Sequence, residues 1–209
     1  MNTTRRIFLA ASAATALSFS TPAWAQSVDE DKLMKPGPLG EMALGDDKAP
    51  VTIIEYASAT CPHCANFHKG TYKELKKKYI DTGKVRFLFR EFPFDNASLA
   101  AFMLARCAPK DKYFPIVDVL FAQQQKWASR GADTRGELFN IARLAGFTEK
   151  SFEECLKNEE VARGVIAVRE TGVELGVAST PTFFVNGVMM RGNSNMAQFE
   201  AMIKPHLSN

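Results

Sequence analysis

The sequence predicts an α/β fold built from a βαβ unit, a block of helices, and a hairpin with a closing helix. Three observations carry that reading. Val51–Ala57 is β-branched and mostly apolar, the pattern of a strand buried on both faces. It feeds a helical stretch from Pro62 to about Tyr79, and Lys84–Phe92 gives a second strand in which Val85, Phe87 and Phe89 alternate. Two strands joined by a helix within about forty residues are expected to run parallel. From Asn96 to about Leu175 the apolar period becomes helical, and Thr182–Arg191 then returns to strand character around Asn186-Gly187, a pair suited to a type I′ turn.

The remaining elements follow in order. Residues 26–50 carry Pro36, Gly37, Pro38, Gly40, Gly45 and Pro50 among charges and read as an irregular lead-in, with one short edge strand near Met42–Leu44. In the helical block, Leu99–Cys107 ends before Pro109, Phe114–Trp127 follows, and Glu137–Leu144 stops at Gly146. Further helices are expected over Ser151–Asn158 and Val161–Leu175, and a last one over about Asn195–His206. There is no internal repeat and no low-complexity segment.

At the N-terminus, Arg5 and Arg6 precede an apolar stretch from Ile7 to about Phe19, and Ala23-Trp24-Ala25 gives a small-x-small cleavage pattern before Gln26. Residues 1–25 therefore read as an export signal removed near Ala25/Gln26. The stretch is short and rich in Ala, Ser and Thr for a core about 30 Å thick, which disfavours a permanent anchor. Thr4-Arg5-Arg6-Ile7-Phe8-Leu9 also fits a twin-arginine signal, so the general secretory and twin-arginine routes both stand. Removing the signal takes away two arginines and no acid, so the formal charge of +3 falls by two. That balance points to neither nucleic acid nor an anionic membrane. Lys76-Lys77-Lys78 reads as a solvated helix face.

The chemistry concentrates in Cys61-Pro62-His63-Cys64, at the junction of the first buried strand and its helix. Cys61 falls at the N-cap, Pro62 suits the first helical position, and Cys64 follows one turn on, so the two sulfurs can close a small ring. Free N–H groups at the helix start, the positive end of the helix dipole and a possible imidazolium on His63 all favour a thiolate at Cys61. Cys61 is thus the expected nucleophile and Cys64 the resolving thiol. A stabilised thiolate makes the disulfide easier to reduce and pushes the couple towards oxidising other thiols. Zinc binding would need two further ligands; Cys107 and Cys155 form no second close pair, and His68 is a candidate third ligand. A purely structural bridge over so short a loop would constrain the unfolded chain little.

The order of elements, with Glu55 six residues ahead of Cys61, the Cys-Pro-His-Cys run, and Thr180-Pro181 leading into Phe183-Phe184-Val185-Asn186-Gly187, resembles the thioredoxin fold with an inserted helical domain, as in the DsbA family. The resemblance implies a thioredoxin-like domain over residues 51–95 and 176–209, with residues 96–175 as the inserted helical domain. It implies that Pro181 is cis and packs beside the active disulfide, and that Thr180 offers backbone groups to a substrate strand. By the same resemblance Glu55 is a buried acid under Cys64 that takes or relays its proton, against the alternative of a strand-end carboxylate in water. His63 would tune Cys61. The chain departs from the best-known members at Ser58-Ala59-Thr60, small or polar where those carry bulky aromatics, which implies a weaker apolar groove.

Cys107 and Cys155 resemble the second pair of some family members. The resemblance favours a structural disulfide, worth about 4 kcal/mol on the chain-entropy model; two separate buried thiols remain the alternative. Phe87, Phe89, Phe114, Phe121, Phe139 and Phe147 read as core, Met189 and Met190 as hairpin cap or site rim, and His68 and His206 as surface or satisfied histidines. The expectation is a periplasmic thiol oxidase, acting as a monomer without a cofactor or metal on reduced exported proteins and reoxidised by a DsbB-type membrane quinone oxidoreductase. The rivals are a disulfide isomerase or reductase kept reduced, and a non-catalytic binding module or chaperone.

Overall fold

In the computed structural model, residues 28–192 and 194–207 are described, so the expected export signal lies outside them. Five strands form one mixed sheet: β1 (Met42–Leu44), β2 (Val51–Ala57), β3 (Val85–Glu91), β4 (Thr182–Val185) and β5 (Val188–Arg191), in the order β1-β3-β2-β4-β5. β2 and β3 pair in parallel and the other neighbours are antiparallel. Strand alternation sorts the sheet into two faces. Ile53, Phe87, Phe89 and Phe183 join the larger core on one face, while Ile54, Tyr56, Leu88 and Phe184 join a smaller core with Val168 and Leu175 on the other. Glu55 alternates with Ile53 and so faces the larger core. The hairpin turn has Asn186 at φ 44° and Gly187 at φ 81°, and the Asn186 Oδ1 accepts the Thr52 N–H at 2.7 Å.

The lead-in is more ordered than its composition suggested. A short helix, α1 (Glu30–Met34), starts at an Asp29 cap and buries Leu33. Buried Arg90 reaches it from β3, donating to the Lys35 carbonyl at 3.2 Å and to Glu41 at 2.6 Å. The long helix expected from Pro62 to Tyr79 is divided. α2 (Pro62–Lys69) stops at Gly70, whose backbone leaves the helical region, and α3 (Thr71–Leu75) follows before a π-turn over Lys76–Ile80. Glycine's poor helix propensity and its tolerance of that conformation place the break.

The insert between β3 and β4 contains α4 (Asn96–Cys107), α5 (Tyr113–Ala122), α6 (Gln124–Trp127), α7 (Thr134–Arg143), α8 (Glu149–Leu156) and α9 (Glu159–Glu174). The expected helix Phe114–Trp127 is thus two helices, and several starts move upstream to side-chain caps: Asp95 for α4, Thr148 for α8 and Asn158 for α9. α9 lies on the smaller-core face, and Gly172 lets it approach; a Cβ there would meet the Tyr56 ring at 2.7 Å. Buried Glu91, at the end of β3, accepts from Arg106 of α4 and from the Tyr113 hydroxyl of α5 at 2.6 Å, joining sheet to insert. Phe87, Phe89 and Phe121 are fully buried, whereas Phe114, Phe139 and Phe147 sit at the core's edge, only partly covered. Cys107 and Cys155 are disulfide-bonded. The chain closes with α10 (Met196–Ile203).

Candidate active site

β2 runs directly into the turn that carries Cys61. Cys61 is the N-cap of α2, its N–H donates to the Ser58 carbonyl at 3.1 Å, and its own carbonyl receives Ala65 N–H at 3.1 Å. Its side chain does not cap the helix. Instead the Cys61 thiol donates to the Thr180 carbonyl at 3.3 Å, across the cis Thr180–Pro181 bond that precedes β4. Both cysteines are free thiols, Cys61 with 8% of its surface exposed and Cys64 with none. The structure therefore brings Cys61, Cys64, Thr180 and Pro181 together from opposite ends of the chain.

The two sulfurs are strongly unequal. A hydrogen bond from Cys64 pulls the Cys61 thiol down to about 5, against the opposing effect of burial, with smaller help from the Thr180 side-chain hydroxyl and the backbone N–H groups of Cys64 and His63. Burial first, and then the hydrogen bond to Cys61, push the Cys64 thiol well above its ordinary value, and the nearby Glu55 carboxylate pushes the same way. At neutral pH one sulfur is an anion and its neighbour a thiol, which is a poised nucleophile beside a proton-holding partner. His63 is exposed, and what it gives Cys61 is a backbone N–H.

Glu55 lies in the middle of β2, fully buried and paired with Phe89 and Phe183 across the sheet. Its Oε2 meets the His68 Nε2 at 2.9 Å, and His68 is itself 5% exposed. A carboxylate buried this deeply needs a partner. His68 supplies it from one turn beyond Cys64, a spacing that places both side chains on one face of α2. The i to i+4 relation was visible in the sequence, but the pairing with Glu55 needs the strand beneath.

A second support, unanticipated from the sequence, holds the turn before Cys61. The Ser98 hydroxyl takes the Ala59 N–H at 2.9 Å and bonds the Ser58 hydroxyl at 3.0 Å, and Asp95 accepts from Thr60 at 2.8 Å. Gln124 donates to the carbonyls of Ala59 and Cys61 at 2.8 and 2.9 Å. The residues at 58–60 thus spend their small size and polarity on hydrogen bonds to the insert. Asp95-x-x-Ser98 carries a helix-start signal that could have flagged the first pair; nothing in the sequence marks Gln124.

Among known proteins, the family profile described as Thioredoxin matches residues 39–205. A Rickettsia conorii relative, provisionally named a protein-disulfide oxidoreductase, is 39% identical over 153 residues, which cover 71% of this chain and 54% of that protein. The chain thus spans about half the length of that relative. Disulfide bond formation protein D of Bacillus subtilis is 26% identical, with 83% of this chain and 80% of that protein covered. The crystal structure of Wolbachia pipientis alpha-DsbA1 superposes with a TM-score of 0.77 at 29% identity, covering 85% of this chain and 97% of that one. Oxidised BdbD from Bacillus subtilis, 22% identical, shares the fold at a TM-score of 0.74 over 90% of this chain and all of that one.

Proposed function

The chain belongs to the thioredoxin family, and from that premise we propose that it is a thiol:disulfide oxidoreductase of the DsbA type that oxidises pairs of thiols in exported proteins. The observation that carries the reading is the inequality of the two thiols, Cys61 drawn down to about 5 beside a Cys64 held well above its ordinary value, next to the cis Thr180–Pro181 bond. A thiolate so stabilised is a good leaving group and makes the dithiol the favoured form, so the disulfide readily takes electrons.

In this mechanism a client thiolate attacks the Cys61 sulfur of the Cys61–Cys64 disulfide. The S–S bond breaks and Cys64 leaves with its electron pair and takes a proton, for which Glu55 is the neighbouring carrier. The client's second thiolate then attacks the mixed disulfide, Cys61 leaves as a thiolate, and the client departs with a disulfide. Two electrons have moved to the enzyme. Thr180 and Pro181 present backbone to the client strand, and His63 steadies the Cys61 thiolate at the helix start. Cys107–Cys155, bonded to each other, take no part in the electron transfer. In this reading the protein works in the periplasm as a monomer, and a DsbB-type membrane quinone oxidoreductase restores the disulfide. Among the described residues no helix is long and apolar enough to cross a membrane.

Two measurements test the reading. Cys64→Ser should accumulate client proteins as mixed disulfides on Cys61, releasable by dithiothreitol; a chain that traps none is a binding module. Equilibration in graded glutathione buffers should give a potential well above the glutathione poise, about −180 to −210 mV in an oxidising compartment. A value near that of thioredoxin, about −270 mV, would reverse the direction of electron flow.

A further inference from the structure

Cys64 gains a proton each time its disulfide is reduced and loses it each time the disulfide re-forms, yet neither Cys64 nor Glu55 has any exposed surface. The proton needs a route to water. Glu55 has one oxygen, Oε2, on His68 Nε2 at 2.9 Å, while its Oε1 and the His68 Nδ1 are buried without a hydrogen-bond partner. The imidazole is held by aromatic rings, with Phe121 stacked on its face at 4.2 Å and Tyr72 leaning on it at 4.6 Å. Phe67 and Phe89 meet the ring edge-on at 5.4 and 5.9 Å, so the imidazole is fixed and Nδ1 is its one nitrogen not engaged by Glu55. His68 also lines a cavity of about 290 Å³ that reaches solvent and that Cys61, Cys64, Thr180 and Pro181 do not line. Around this cavity stand Asp118 from α5, Tyr72 and Lys73 from α3, Lys76 from the π-turn and Lys69 at the end of α2.

From this juxtaposition we propose that His68 is the positioning residue that relays protons between Glu55 and the solvent of this cavity, so that Cys64 exchanges its proton by a path separate from the face where Cys61 meets its client. The proposal rests on the Cys61–Cys64 reading above. On reduction, the Cys61–Cys64 bond breaks and Cys64 holds the electron pair. A proton from the cavity enters at His68 Nδ1, the Nε2 proton passes to Glu55, and Glu55 delivers it to the Cys64 sulfur. On reoxidation the Cys64 proton returns through Glu55 to Nε2, and the Nδ1 proton leaves to solvent, which restores the starting tautomer. No electron passes through the histidine. Asp118 suits the mouth of such a path: burial raises its carboxyl, opposed by His68, Lys76 and Lys73, so it holds a proton more readily than an ordinary aspartate.

The test follows the reduced full chain reacting with oxidised glutathione in stopped flow. Cys61 first forms a mixed disulfide with glutathione, and Cys64 must then lose its proton to resolve it. His68→Gln keeps an amide that can bond Glu55 but cannot relay. It should leave the first step unchanged and slow the second roughly a hundredfold or more, the low end of what a placed proton carrier contributes. Added imidazole should restore the second step. Ala122→Trp, at an exposed position on the cavity wall, should slow the same step without imidazole rescue. Wild-type resolution rates in both variants, or equal slowing of both steps with no response to imidazole, would overturn the relay. If His68→Gln does not fold, Ala122→Trp decides alone. Failure of the wild-type chain to form any Cys61 mixed disulfide is a separate result, which would remove the dithiol reading and the relay with it.

Discussion

The Cys61 thiolate links the site to the stability of the whole protein. Its folded value of about 5 lies below the ordinary 9.0 of a cysteine, so the folded dithiol form binds fewer protons at this site than the unfolded chain does between those limits. The resulting stabilisation is complete above the ordinary value and is lost as the pH falls through about 5. At pH 7 about two units of the shift remain in effect, worth about 3 kcal/mol at 1.36 kcal/mol per unit. The disulfide form has no such group, and Cys64 stays a neutral thiol throughout this range, its own value being raised. Denaturant unfolding of the reduced and oxidised protein at pH 7 and pH 5 should therefore show the reduced form losing about 2 kcal/mol relative to the oxidised one, since half the sites are still ionised at pH 5. A gap that does not change between the two pH values would mean that Cys61 is an ordinary thiol.

At the scale of elements, the helical insert grips the turn it overlies. Gln124, 3% exposed in α6, gives its amide N–H groups to the carbonyls of Ala59 and Cys61. Leucine at this position fills similar space, leaves the buried Ala59 carbonyl without this donor and leaves the Cys61 carbonyl only its Ala65 N–H, so Gln124→Leu should lower stability by about 2 kcal/mol. Glutamate separates this hydrogen-bonding role from packing. Ionised, it sets a buried charge against two carbonyl oxygens; protonated, it regains one donor. Gln124→Glu should thus be less stable than Gln124→Leu at neutral pH, and acidification should narrow the difference; equal midpoints at all pH values would sink the hydrogen-bond account. No sequence pattern marked Gln124, because its role depends on which turn of the insert lands on the site. Val51–Ala57, the Cys-x-x-Cys helix start and the Asn186-Gly187 hairpin were legible, since burial period and turn chemistry are local. The break at Gly70 had a local signal in the glycine itself, which the unbroken apolar period over Pro62–Tyr79 masked, whereas the short helix in the lead-in was not legible because tertiary contacts decide it, as with Arg90 reaching the Lys35 carbonyl.

The whole molecule is a sheet whose site is completed from three distant parts of the chain, with the insert fastened by Glu91 at one point and by the Cys107–Cys155 bridge at another. That bridge joins the end of α4 to α8 and closes a loop with a separation of 48 residues. On the chain-entropy account, a loop of this length restricts the unfolded state by about 4 kcal/mol. Cys107 lies at the opposite end of α4 from Asp95 and Ser98, the residues that hold the active turn, roughly 15 Å away at 1.5 Å per residue. The bridge and the dithiol should then be separable. Replacing both Cys107 and Cys155 by serine should lower the unfolding free energy by up to about 4 kcal/mol. It should also steepen the denaturant dependence, because an uncrosslinked unfolded chain exposes more surface. The rate at which Cys61 attacks oxidised glutathione should stay the same wherever the variant is folded. Loss of stability with an unchanged rate would assign the second pair to the fold alone. A change in that rate at full folding would show that the insert transmits its state along α4 to Asp95 and Ser98, and so to the nucleophile they position.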